Sequence, residues 1–117
     1  MGRSKREAKQ PAPQMQMLTD LRADLYHLPL DRIDPSPYQH RRAFASAKLE
    51  ELKRSIERDG LIEPIVVRVH DERFELIAGE RRVRACRLCL TTTTILARVV
   101  EVDDLTARRM CAAENLQ

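Results

Sequence analysis

Tryptophan is absent from this chain, and two phenylalanines and two tyrosines are its only large aromatic residues. Its core must therefore be built from Leu, Ile, Val, Ala, Met and Cys. No run of about 18 apolar residues occurs, which excludes a membrane-spanning helix. The basic N-terminus is not followed by an apolar stretch, so no secretory signal is visible, and the protein is expected in the cytoplasm. Paired metal-ligand spacing is missing too. Cys86 and Cys89 stand in C-x-x-C spacing but inside an expected helix and without a second pair, Cys111 is alone, and His27, His40 and His70 are scattered. A zinc site normally takes four ligands in two spaced pairs. The three cysteines read as buried thiols behaving as small apolar residues, with no metal or redox role.

What is present is enough for one domain. The 117 residues, 13.5 kDa in mass, suffice for a real hydrophobic core. The net charge of +3 is unevenly spread. Arg3, Lys5, Arg6 and Lys9 face only Glu7 at the N-terminus, so the remainder is near neutral. Bulk attraction to nucleic acid is thereby excluded for the rest of the chain, and any basic site there must be local.

Residues 1–20 are expected to be a basic, unstructured tail and residues 21–117 a folded domain. Leu28–Ile33 reads as a short extended segment leading to the turn Asp34-Pro35-Ser36-Pro37, where two prolines forbid a helix. A polar loop, Tyr38-Gln39-His40-Arg41-Arg42, follows. The first helix is expected over 47–59 with Ser46 as N-cap. Leu49, Leu52 and Ile56 form its apolar stripe, and Gly60 is its C-cap. Ile65–Val69 and Arg73–Ala78 are β-prone and joined by His70-Asp71-Glu72, which predicts a hairpin. A second helix over 80–89 should turn Val83, Cys86 and Leu90 inward. After Thr91–Thr94, Ile95–Val100 is the next strand, and Asp103 or Asp104 should cap a last helix reaching Gln117. That helix carries Leu105, Ala112 and Leu116 with nothing after it to cover them, so the chain is expected to continue in a longer protein. The fold class is α+β: a small mixed sheet flanked by helices.

The sharpest chemical signal is Gly79-Glu80-Arg81-Arg82-Val83-Arg84-Ala85, where a strand turns into a basic helix. A helix N-terminus already carries about half a positive charge, and each unanswered cation there costs ~0.3–1 kcal/mol. A bound polyanion answers all of them, because free backbone N–H groups and guanidinium forks converge on it. The segment reads as a phosphate site. Glu80 is the odd member: a carboxylate there pairs with a neighbouring arginine, helps hold a metal, or orients water.

Four blocks in order resemble the N-terminal domain of the ParB/Spo0J family of chromosome- and plasmid-partition proteins, a fold related to sulfiredoxin. They are Pro37-Tyr38-Gln39-His40-Arg41, Gly60 to Arg68, Gly79 to Ala85, and Glu114-Asn115-Leu116-Gln117. The resemblance implies binding of CTP with Mg²⁺ and slow hydrolysis as a switch, so at most a slow CTPase. It implies that the Gly60–Arg68 segment, with Ile62, Pro64 and Ile65, lines the cytosine pocket mainly through backbone groups. Gln39 and Arg41 would reach the phosphates, and Gly79, Glu80, Arg81, Arg82 and Arg84 would cradle them. Glu114 and Asn115 would hold Mg²⁺ as hard oxygen ligands, and Glu80 would orient water. Nucleotide binding would make two N-terminal domains engage as a dimer, closing a clamp around DNA. Sequence-specific DNA recognition would belong to a helix-turn-helix domain beyond this chain, leaving the fragment itself a weak DNA binder. The basic head (Arg3, Lys5, Arg6, Lys9) sits where relatives often stimulate a ParA-like partner ATPase.

Departures and rivals frame the reading. His40 stands where the family usually has proline, and Cys86 to Thr91 replaces its usual small-residue helix end. Sulfiredoxins need a cysteine directly after the phosphate-loop glycine, and here that residue is Glu80. Related free-serine kinases carry two histidines that Ala78-Gly79-Glu80-Arg81-Arg82 lacks. A nuclease would want clustered carboxylates, and Asp103-Asp104 is the only adjacent pair of aspartates.

Overall fold

The computed structural model describes residues 16–17, 24–38 and 45–115. In chain order they form β1 (Gln16–Met17), β2 (Leu25–Pro29), a 3₁₀ turn (Leu30–Arg32), β3 (Ile33–Asp34), α1 (Ser46–Asp59), β4 (Ile65–His70), β5 (Arg73–Ala78), α2 (Glu80–Leu88), β6 (Thr94–Val100) and α3 (Asp104–Asn115). The strands make one mixed sheet in the order β1-β2-β6-β4-β5-β3. β4 is central, antiparallel to β5 and parallel to β6, and the expected α+β class holds.

Alternation along the central strands divides the side chains between two faces. Ile65 and Val67 of β4, Phe74 and Leu76 of β5, and Ile95 and Ala97 of β6 join one buried cluster. The inner sides of the helices seal it: Leu49, Leu52 and Ile56 from α1, and Val83, Ala85 and Cys86 from α2. Val66, Ile77 and Val100 belong to the other face, where α3 packs through Ala107, Met110 and Cys111. With so few aromatics, the largest side chain in either cluster that is fully buried is Phe74.

The helix ends follow the expected chemistry in part. Gly60 caps α1 with φ 82°, its N–H donating to the Ile56 carbonyl. At the other end Ser46 is already helical. Ala45 is the N-cap, because its carbonyl accepts the first intrahelical bond, from the Leu49 N–H at 3.1 Å, and no side chain caps the helix. Helix α2 stops at Leu88, one residue early, because Cys89 turns extended (φ −79°, ψ 121°). That turn buries Cys89 near the carbonyls of Ala85 and Lys53 and throws Leu90 outward, 96% exposed rather than inward as expected. Leu28–Ile33 is not one extended piece either. β2 begins at Leu25, pairs with β6 in the register Leu28 opposite Ile95, and is broken by the 3₁₀ turn before β3. Residues 16–17, inside the segment expected to be a tail, pair with His27 and Tyr26.

The β4–β5 hairpin turns on Asp71 and Glu72, both at positive φ (54° and 66°), the pattern of a type I′ turn. Asp tolerates that region; Glu does not. Glu72→Gly is expected to raise stability by up to about 1 kcal/mol, seen as a higher thermal midpoint. The Glu72 carbonyl that accepts from Arg32 Nη2 at 3.0 Å is backbone and survives the change.

Candidate functional site: the strand–glycine–helix turn

β5 delivers its last residue, Ala78, to the edge of the core, and the chain reverses at Gly79 (φ 110°, ψ 27°). The glycine is needed twice over. Its φ lies where L side chains are strained, and a Cβ there would stand 2.6 Å from Ile65 Cγ2. Helix α2 starts immediately, its first bond running from the Val83 N–H to the Gly79 carbonyl at 3.0 Å. No side chain caps it, so the first-turn amides face outward without an i−4 carbonyl.

The arginines of α2 are distributed among distinct partners. Arg84 Nε donates to Glu80 Oε2 at 3.0 Å, one turn back. Arg82 Nη1 donates to the carbonyls of Pro64 (3.0 Å) and Glu63 (3.3 Å), and the Glu63 carboxylate lies 3.6 Å away. Arg87 Nη2 donates to the Ile33 carbonyl at 2.8 Å and so fastens α2 to the 3₁₀ turn. Arg81 is exposed. The charge at this N-terminus is thus partly met by the protein itself. Glu80 is the most informative of the group: it is only 9% exposed, and its Oε1 has no hydrogen-bond partner among the described residues. A buried carboxylate oxygen left in that condition is uncommon, and it signals a missing donor or cation.

The structure brings Gly79 and Arg82 together with Pro64 and Ile65, and pairs Arg84 with Glu80 on the same helix. Ile65 is fully buried beneath Gly79, Pro64 is half-buried, and Ile62 projects at 82% exposure. Glu114 is half-buried near the end of α3, the helix on the opposite face. Gln39, His40 and Arg41 lie outside the described residues, as do the side chain of Asn115 and the tail residues Arg3, Lys5, Arg6 and Lys9. Among the described residues no group of three or more His, Cys, Asp and Glu is placed to hold a metal ion.

The Asp103-Asp104 pair is split between two structural tasks. Asp103 Oδ1 accepts the Thr106 N–H at 2.8 Å as the cap of α3. That bond, with further help from the Thr106 side chain, holds its carboxyl below the usual range. Asp104 turns to Arg68 Nη2 at 2.8 Å. The cysteines are buried free thiols, and burial pushes the Cys86 thiol up to about 11, leaving it protonated at neutral pH.

Two features went unseen in the sequence. Arg68 and Glu75 form a buried ion pair (3.1 Å), with Arg68 also donating to the Val102 carbonyl. They are direct cross-strand partners in the hairpin, so opposite charges at matched distances from the Asp71-Glu72 turn were the available signal. Ser36 Oγ lies 3.2 Å from Cys111 Sγ and accepts the Tyr38 N–H, while Arg108 covers the Tyr38 ring at 5.3 Å. These contacts tie the 36–38 turn to α3.

The mixed α+β architecture is shared with solved structures of ParB and of sulfiredoxin. The chain superposes on Caulobacter crescentus ParB complexed with CTP-γ-S with a TM-score of 0.70, at 33% identity over 80% of this chain and 53% of that one. On the same protein complexed to the centromeric parS site the TM-score is 0.65, at 31% identity, covering 77% and 46%. On sulfiredoxin from Arabidopsis thaliana it is 0.63, at 29% identity, covering 74% and 94%. The ParB N-terminal domain model matches residues 14–116, and the chain belongs to that family. Its relatives include the probable chromosome-partitioning protein ParB of Helicobacter pylori, 42% identical over 90 residues, 77% of this chain and 31% of that protein. The nucleoid occlusion protein of Halalkalibacterium halodurans is 39% identical over 102 residues, 87% of this chain and 36% of that protein. The chain spans about a third of the length of these curated relatives.

Proposed function

We propose that this domain is a CTP·Mg²⁺-binding switch of a DNA-partition protein. The observation that carries the reading is the Gly79 turn. A glycine that admits no Cβ places an uncapped, arginine-rich helix N-terminus directly beside the 61–65 segment. That geometry suits a phosphate chain: backbone amides and the helix dipole converge on an anion, and Arg81 and Arg84 extend from the same turn and a half. Gln39 and Arg41 would add to it. The likeness to a ParB crystallised with CTP-γ-S supports CTP as the nucleotide.

Glu80 Oε1 is a buried acceptor with no hydrogen-bond partner among the described residues. Glu114 and Asn115, at the end of α3, would hold Mg²⁺ as oxygen ligands of the kind a hard cation takes. When bound, the cation would neutralise phosphate charge. Glu80 would orient a water for slow hydrolysis. Nucleotide binding would then drive two copies of the domain to engage around DNA. The remainder of the protein would recognise the DNA site, and the tail cations Arg3, Lys5, Arg6 and Lys9 would meet a ParA-like ATPase.

Calorimetric titration with CTP and with ATP, each with Mg²⁺, tests the reading. Selective CTP binding is expected. Arg81→Ala should abolish it while leaving the fold intact, as read by circular dichroism. Binding of ATP in preference to CTP, or wild-type affinity in Arg81→Ala, would overturn the assignment.

A further inference from the structure

We infer that Arg82 is a positioning residue for recognition of the base, clamping the 61–64 segment onto the phosphate turn, and that it is not itself a phosphate ligand. The inference rests on the nucleotide reading above and deepens it. One terminal nitrogen of Arg82 donates to two successive carbonyls, Glu63 at 3.3 Å and Pro64 at 3.0 Å, with the Glu63 carboxylate 3.6 Å away. The other lies 3.3 Å from where a Cβ on Gly79 would stand, so the guanidinium is packed over the turn. The side chain is only 20% exposed. Its Nη1 is therefore committed to the 61–64 segment.

That segment has few other anchors. It lies between the cap of α1 and the first residue of β4, outside every strand pairing. Pro64 has no N–H to offer, Ile62 is 82% exposed, and only Leu61 leans on the core. A segment that reads a base through its own backbone needs that backbone fixed, because a mobile one accommodates every base. Two charge-assisted bonds to neighbouring carbonyls supply the fixation. A lysine, whose ammonium is a more strongly hydrated charge on a flexible stem, reproduces it poorly. Discrimination at this site is thus set from the helix that faces the phosphates.

Amide hydrogen exchange on the nucleotide-free protein tests the clamp directly. Arg82→Gln is expected to speed exchange across residues 61–66 at least tenfold while α1 and α3 keep their rates, and Arg82→Lys should fall between. Unchanged exchange in that segment overturns the clamp. Titration with CTP, UTP and GTP, each with Mg²⁺, tests the consequence: Arg82→Gln should cut the preference for CTP over GTP at least tenfold. An equal loss of affinity for all three, with the preference intact, would make Arg82 a phosphate ligand and overturn the proposal. Wild-type protein that binds none of them, while Arg82→Gln still loosens 61–66, would uphold the clamp and overturn the CTP reading.

Discussion

Gly79→Ala should lower the melting temperature by at least about 10 °C, one of two large effects expected from single side-chain changes near the centre of the sheet. The first contribution is conformational: a φ of 110° costs a non-glycine residue about 1–2 kcal/mol or more. The second is steric. The new methyl would sit 2.6 Å from Ile65 Cγ2 and 3.0 Å from Ile65 Cβ, and Ile65 is fully buried in the main cluster. It cannot swing aside, so overpacking adds about 1–3 kcal/mol. Relief requires α2 to move away from β4, and the phosphate turn moves with it. Thermal unfolding followed by circular dichroism checks the prediction. A midpoint unchanged from wild type would refute the close approach of Gly79 to Ile65.

Breaking the Arg68–Glu75 pair should be comparably damaging. Arg68 is 4% and Glu75 7% exposed, and Arg68 bonds Glu75, Asp104 and the Val102 carbonyl together. Removing the cation alone strands a buried carboxylate, so Arg68→Met is expected to cost about 3–5 kcal/mol. Removing both charges removes that penalty. The double variant Arg68→Met with Glu75→Leu should recover most of the loss in urea denaturation. Asp104→Asn should cost far less, because its carboxylate is 76% exposed and solvent screens it. If the double variant were as unstable as the two single losses summed, the pair would not be coupled.

Elements whose formation is local were legible in the sequence. The β4–β5 hairpin, the stripe of α1, the start of α2 at Gly79 and the Asp103 cap all follow from turn residues, periodicity and capping chemistry. Readings that depended on distant partners went astray. Leu90 looked like the next inward residue of α2, but burial of Cys89 against α1 ended the helix first. Ser46 has the composition of a cap, yet the carbonyl of Ala45 takes that role. β2 could not be placed correctly because its start is fixed by register with β6, not by its own composition. The site divides in the same way. Its arginines were visible as charge in the wrong place, while their separate partners (Glu80 for Arg84, two carbonyls for Arg82) depend on how β4 and α2 meet. Arg68 and Glu75 went unseen as a pair because only strand pairing sets them against each other.

The strand order has a consequence for how the chain assembles. β4, β5 and α2 are neighbours in sequence and in space, so the turn at Gly79 can form from an early, local nucleus. β2 has no such option: Leu28 waits for Ile95, and nearly the whole domain must be made before that ladder closes. Closing so long a loop is slow relative to local contacts. During synthesis β2 therefore lacks its β6 partner until residues 94–100 have been made, after the arginine-bearing turn.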